Sequence, residues 1–276
     1  MSRSLAVQHL PFRAAKGSAR NVIIGNAVPK SGTYLLNNLI KVLGGWQDIQ
    51  VHLGVLTWID KSGATDKSHW YPTDRLLRRL RNGQLVAAHL PYSEDLAAEI
   101  LRPRQNREIK HLFMFRDPRD VYVSMANFIA NNRNSIDRSA KWSGIRDDAL
   151  SNSQSAGDVL SYVIDTWPNG MSMQAYEPWL DSPAAHAIRF ESLYEDVLAL
   201  QGGHFGPTIS ALFDAIDVDS AALEPRQVFS AFFNKGLTAS AQTDKVGQWK
   251  ARFEPRHFEA LDTPEFRHLL KSFGYD

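Results

Sequence analysis

Lys30, Ser31 and Thr33 share one short turn, Pro29-Lys30-Ser31-Gly32-Thr33. It lies between an apolar run, Asn21–Val28, and an amphipathic stretch with Leu36, Leu39, Ile40 and Leu43 on one stripe. An ammonium, two hydroxyls and a glycine at a strand-to-helix turn make an anion site, because the turn N–H groups and the helix N-terminus face the ligand. The triphosphate loop G-x-x-x-x-G-K-[ST] is the obvious alternative. Here Gly25 is followed by Asn-Ala-Val-Pro before Lys30, so the glycine preceding the lysine is absent. That disfavours a small-molecule kinase using ATP and magnesium without removing it. A capped helix start beside a solvated lysine is the plain structural alternative.

Two further groups carry chemistry. Arg116 ends the apolar run His111–Phe115, and Ser124 follows about two turns into a helix starting at Pro118. Val121, Met125, Phe128 and Ile129 share that helix's inner face, and Ser124 falls with them. An arginine fork with a hydroxyl suits a terminal phosphate. The competing reading pairs Arg116 with Asp117 or Asp120 and turns Ser124 back onto its own helix. His89 follows the apolar run Leu85–Ala88, at a strand end where ligands gather in open α/β sheets. A neutral imidazole can take a proton at pH 7, although many histidines are ordinary half-buried polar residues.

Holding these groups together requires a frame. Asn21–Val28, Leu85–Ala88, His111–Phe115 and Ala187–Phe190 are each followed by a polar turn and helical periodicity. That alternation predicts an α/β class: a three-layer, P-loop-like fold with a central parallel sheet flanked by helices. The 276 residues, 43% hydrophobic and 22% charged, suit one large domain over residues 21–276. Residues 1–20 read as a flexible basic arm. Residues Trp46–Tyr71 and Asn131–Gly157 read as long connections, and Pro255–Asp276 as short closing helices. The net charge of +1 excludes a general basic field for nucleic acid. The chain has no cysteine, which excludes disulfides and thiolate chemistry and leans toward a reducing compartment. No apolar run approaches the length of a membrane span.

The strings Pro29-Lys30-Ser31-Gly32-Thr33 and Arg116-Asp117-Pro118-Arg119-Asp120-Val121-Tyr122-Val123-Ser124 together resemble the P-K-S/T-G-T and R-[DN]-P-[RK]-D-x-x-x-S motifs of cytosolic-type sulfotransferases. Those enzymes use 3′-phosphoadenosine 5′-phosphosulfate (PAPS) and release adenosine 3′,5′-bisphosphate (PAP). The resemblance implies that Lys30 meets the bridging oxygen between phosphate and sulfur. Ser31, Gly32, Thr33 and Tyr34 then hold the 5′-phosphate, while Arg116 and Ser124 hold the 3′-phosphate. His89, in His89-Leu90-Pro91, takes the role of the base that removes the acceptor proton. Phe190, in Phe190-Glu191-Ser192-Leu193, borders the adenine, with Phe232 a looser match.

The resemblance reaches the terminal Phe273-Gly274-Tyr275 but has departures. Leu35 stands where many members stack a tryptophan on adenine. Lys245-Val246-Gly247-Gln248-Trp249-Lys250 matches the late G-x-W-K segment, but Gln242-Thr243-Asp244 replace its R-K-G. Lys245, or else Lys235-Gly236, is the expected substitute. The implied reaction is in-line, metal-free transfer to a hydroxyl or amine of a small-molecule or carbohydrate acceptor. A cytoplasmic enzyme is implied, and a homodimer is allowed. A non-catalytic nucleotide-binding relative is the alternative. Trp46, Trp58, Trp70 and Tyr71 suit a stacked acceptor or a core equally. Arg133, Arg138, Lys141 and Arg146 suit an acidic acceptor or a solvated face.

Overall fold

The computed structural model describes residues 21–53, 77–105, 107–131, 147–149, 151, 156–234 and 246–275. Among the described residues five strands form one sheet: β1 (Asn21–Ala27), β2 (Gln47–Leu53), β3 (Gln84–Ala88), β4 (Glu108–Phe115) and β5 (His186–Arg189). Their order is β2-β3-β1-β4-β5, and every pairing is parallel. β1 is central and buried along its whole length, as expected of a strand covered on both faces.

Helices fill both sides. On one face α1 (Thr33–Leu43), α5 (Phe190–Ala199), α6 (Pro207–Ala215) and α7 (Pro225–Asn234) share a core with Ile23, Leu85 and Leu112. On the other face α2 (Glu94–Leu101), α3 (Pro118–Asn131) and α4 (Ala156–Thr166) pack on Val22, Ile24, Val86 and Phe113. The closing helices α9 (Pro255–Leu261) and α10 (Pro264–Ser272) add Leu261, Phe266 and Leu269 there, and the short α8 (Trp249–Arg252) precedes them. The three-layer α/β arrangement with a central parallel sheet is therefore present.

One expectation needs correction. Residues 47–53 are not part of a connection but form the edge strand β2. Ile49, Val51 and Leu53 alternate with Asp48, Gln50 and His52, the period of a half-covered strand, which the polar members disguise. Trp46 is core: it is buried, and its indole Nε1–H donates to Asn21 Oδ1 at 2.9 Å.

The expected basic arm at residues 1–20 lies outside the described residues, as do Trp58, Trp70, Tyr71, Arg133, Arg138, Lys141, Arg146, Lys235-Gly236 and Gln242–Lys245. No helix among the described residues is long and apolar enough to cross a membrane.

Candidate active site

At the end of β1 the chain turns sharply. Lys30 has φ 68°, a left-handed conformation rare outside glycine, and Gly32 has φ 92°. Gly32 is needed for space as well as conformation, because a Cβ there would lie 2.5 Å from the Phe190 ring. The Ser31 N–H bonds to the Val28 carbonyl at 3.0 Å, but its buried Oγ has no hydrogen-bond partner. A buried hydroxyl left this way costs about 1–3 kcal/mol, and a bound oxyanion would satisfy it. Thr33 is buried at the start of α1, and Tyr34 is exposed. Lys30 Nζ sits 4.2 Å from the centre of the Phe128 ring.

Arg116 stands across the sheet switch point from this turn. Its guanidinium is buried, 4.5 Å from the Phe190 ring centre and 3.5 Å from Asp120 Oδ2. Nη1 donates to the Lys30 carbonyl at 3.5 Å, so the two motifs touch. Asp120 also accepts the N–H groups of Gly247 at 2.7 Å and Trp249 at 3.0 Å, which ties the G-x-W segment to Arg116. Arg119 points elsewhere, bidentate on Asp117 at 2.9 Å for each bond and 4.0 Å from the Trp249 ring centre. Behind the turn Glu191 accepts the Asp117 N–H at 3.1 Å and the Tyr275 hydroxyl at 2.5 Å. The C-terminal tail thus braces the arginine turn. Phe190 is buried as a wedge between Gly32 and Arg116, stacked on Tyr194 with ring centres 5.7 Å apart.

His89 is positioned through backbone and amide contacts. Its N–H donates to Leu53 of β2 at 2.8 Å. The next residue, Leu90, is clamped by Asn26, which accepts its N–H at 2.8 Å and donates to its carbonyl at 3.1 Å. The His89 Nδ1 lies 2.7 Å from the Ala27 carbonyl. A carbonyl only accepts, so the proton is on Nδ1 and the Nε2 lone pair is left open. Burial first, then His52 and Lys30, push the His89 pKa down to about 3, partly offset by that carbonyl bond. The imidazole is therefore neutral well below pH 7.

A cleft of about 390 Å³ brings together Lys30, Gly32, Thr33, Tyr34, His89, Arg116, Ser124 and Phe190. Ser31 lies buried behind its loop, and Lys245 is outside the described residues. Leu35 and Phe232 also line the cleft, at the side where adenine stacking was expected. The sequence reading gave no site role to His52, named only within the Trp46–Tyr71 connection, to Asn37, or to Gln248 of the late segment, all of which line the cleft. Among the described residues no group of three or more His, Cys, Asp or Glu could hold a metal ion.

A second serine–histidine contact has its proton in the wrong place for nucleophilic catalysis. Ser161 Oγ lies 2.8 Å from His257 Nε2, but His257 Nδ1 accepts the Glu254 N–H at 2.9 Å. His257 Nε2 therefore carries the hydrogen and donates to Ser161, so it cannot act as that serine's base.

The family profile described as "Sulfotransferase domain" matches residues 20–196, which takes in the phosphate turn, His89, Arg116 and Ser124. No curated protein sequence matches the chain. Among solved structures, the crystal structure of mouse sulfotransferase SULT7A1 complexed with PAP is similar at a TM-score of 0.52 and 15% identity. That similarity covers 93% of this chain and 88% of the mouse chain, and at this identity it speaks for the fold. The family match decides what the turn alone left open between ATP and PAPS. The chain belongs to the sulfotransferase family, enzymes that move a sulfuryl group from PAPS to a small-molecule acceptor.

Proposed function

We propose that His89 is the general base of this sulfotransferase and that the two motifs hold the donor by its two phosphate ends. PAPS supplies an activated sulfuryl group on a phosphate leaving group. His89 Nε2 accepts the acceptor proton as the acceptor oxygen bonds to sulfur and the bond from sulfur to the bridging oxygen breaks. Lys30 balances the charge growing on that bridging oxygen. Ser31 and Thr33, with the turn N–H groups around Gly32 and Tyr34, take the 5′-phosphate, and Ser31 Oγ gains the partner it lacks. Arg116 and Ser124 take the 3′-phosphate. Phe190 holds both phosphate ends in register through Gly32 and Arg116. Lys245 adds a cation next to Val246 and the Asp120-held Gly247. Positioning and fixed charge, rather than covalent participation, carry the rate.

The observation that carries this reading is the His89 tautomer, with Nδ1 committed to Ala27 and Nε2 open in the cleft that Lys30 lines. Residues 21–276 act as one domain with a small-molecule or carbohydrate acceptor. The likeness to cytosolic-type members supports a cytoplasmic enzyme and is compatible with a homodimer.

Calorimetry with PAP and with ATP–magnesium, followed by transfer from labelled PAPS, tests the assignment. PAP is expected to bind and ATP–magnesium to bind far more weakly. His89→Ala is expected to lower turnover by about 10²–10⁴ and to leave PAP affinity within about twofold. Near-wild-type turnover in that variant would overturn the base assignment.

A further inference from the structure

The acceptor side of the cleft is a wall of lone pairs around a shallow trough. His52 pairs with Ala87 across β2 and β3, and Ala87 pairs with Gly25 across β3 and β1. Lateral neighbours in a parallel sheet present one face, and here it is the face that α1 covers. Asn37 of α1 lies directly over Gly25, where a Cβ would come within 2.0 Å of Asn37 Oδ1. Asn37 thus covers Gly25, and the Ala87 methyl floors the space between His52 and Asn37, with His89 just beyond it.

Two groups there offer lone pairs to the cleft. His89 Nε2 is open, as described. His52 Nδ1 lies 3.1 Å from the Leu53 carbonyl, which fixes its hydrogen on Nδ1 and leaves Nε2 as an acceptor. Burial lowers the His52 pKa, so this ring too is neutral at pH 7. Asn37 adds no third acceptor: its Nδ2 is committed to the Thr33 carbonyl at 2.8 Å, and its Oδ1 is buried against Gly25. The charges at this side close on each other: Lys41 pairs with Asp48 and also meets Asn38 Oδ1 at 3.4 Å. The two imidazoles stand together, with ring centres 4.5 Å apart and planes tilted by 44°.

A ligand that satisfies this wall brings at least two neighbouring hydrogen-bond donors and no net charge. We propose that the acceptor is a neutral polyhydroxylated molecule, a sugar or cyclitol, with one hydroxyl on His89 and the adjacent hydroxyl donating to His52 Nε2. This rests on the sulfotransferase reading and narrows its acceptor. A simple phenol has one donor and leaves His52 unmet. A site built to bond a hydroxyl discriminates strongly against analogues lacking it. His52 is then a specificity residue, whereas His89 is the catalytic one.

The test uses the full chain, labelled PAPS and six probes: myo-inositol, the methyl glycosides of glucose, galactose and mannose, cyclohexanol and 4-nitrophenol. At least one polyol is expected to be sulfated with kcat/KM about tenfold or more above both single-hydroxyl probes. His52→Phe is expected to erase that preference while PAP affinity by calorimetry stays within about twofold. His52→Gln, whose amide oxygen can accept a hydrogen bond, is expected to restore part of it. Preference for a single-hydroxyl probe, no polyol sulfation by a chain that binds PAP, or an unchanged preference in His52→Phe each overturns the proposal. Failure to bind PAP at all would instead overturn the donor assignment on which it rests.

Discussion

At the donor end of the cleft, Lys30, Gly32 and Arg116 work through fixed charge and unusual backbone, each braced by a neighbour that another motif supplies. At the acceptor end, His89 and His52 offer neutral lone pairs from two neighbouring strands over a floor of Ala87, with Asn37 of α1 alongside. On the proposed reading the first end holds an anion whose shape does not vary, so each of its two motifs is compact in sequence. The second has to suit a particular acceptor, and its parts meet only through sheet register and the packing of α1.

Two glycines separate these designs most sharply. Gly32 has φ 92° and a Cβ there would lie 2.5 Å from the Phe190 ring, whereas Gly25 has no positive φ and a Cβ there would meet the Asn37 amide, Oδ1 at 2.0 Å. A non-glycine residue held in a disfavoured backbone region costs about 1–3 kcal/mol, and overpacking about 1–3 more. Gly32→Ala is therefore expected to weaken PAP binding by about a hundredfold, read by calorimetry. Gly32→Ala combined with Phe190→Leu should recover only part, because the backbone strain remains. Gly25→Ala should lower the melting temperature and spare more of the PAP affinity, and adding Asn37→Ala should restore the melting temperature. Wild-type PAP binding by Gly32→Ala would erase the distinction.

The same contrast governs what the sequence made legible. The turn around Lys30 and the Arg116–Ser124 segment were readable because strand, turn and helix start are local and put chemistry at fixed offsets. β1, β3, β4 and β5 were readable as apolar runs. β2 was not, because Asp48, Gln50 and His52 interrupt its apolar residues and Gly44-Gly45 reads as the start of a loop. Its alternation of Ile49, Val51 and Leu53 was the available signal. His52 was lost with that strand. Asn37 gave no local signal, since its meaning comes from Gly25 lying under it. Asp120 was weighed only as a partner for Arg116, and its second role depends on a segment far along the chain.

A smaller effect tests how the donor end is braced. Tyr275 donates to Glu191, which accepts the Asp117 N–H one residue after Arg116. Tyr275→Phe removes one hydroxyl to a carboxylate, worth about 1.5–3 kcal/mol in a buried setting and less where water can replace it. Tyr275 is buried, its ring centre 6.4 Å from that of Phe115 and 4.0 Å from the Arg189 guanidinium carbon. The expected loss of PAP affinity is about fivefold. The loss should be smaller for 5′-AMP, which lacks the 3′-phosphate, because the brace acts on the arginine turn. Equal losses for PAP and AMP would show that the tail merely stabilises the fold.

The smallest expected effect is in the acid limb of the free enzyme. His89 has its pKa pushed down to about 3 by burial, His52 and Lys30. The groups lining the cleft nearby are His52, Lys30, Lys41 and Asp48, and Lys41 and Asp48 pair with each other. The profile of kcat/KM for the acceptor at low PAPS reports the free enzyme, so it should change by no more than about twofold between pH 7.5 and 5.5. The sign for stability is opposite. His89 and His111 (its pKa pushed to about 4 by burial) are neutral when folded but take up protons near pH 6.5 when unfolded. Stability is thus level above about pH 6.5 and falls below it, by about 1.4 kcal/mol per pH unit for each fully shifted histidine. Rates are therefore best read at a temperature well under the pH 5.5 melt. Bound donor brings negative charge beside His89 and favours its protonated form, so the kcat limb should lie at higher pH than the kcat/KM limb. Coincident limbs near pH 6.5 would mean that His89 sits in water like an ordinary histidine, and the acceptor end would lose the feature that most distinguishes it from the donor end.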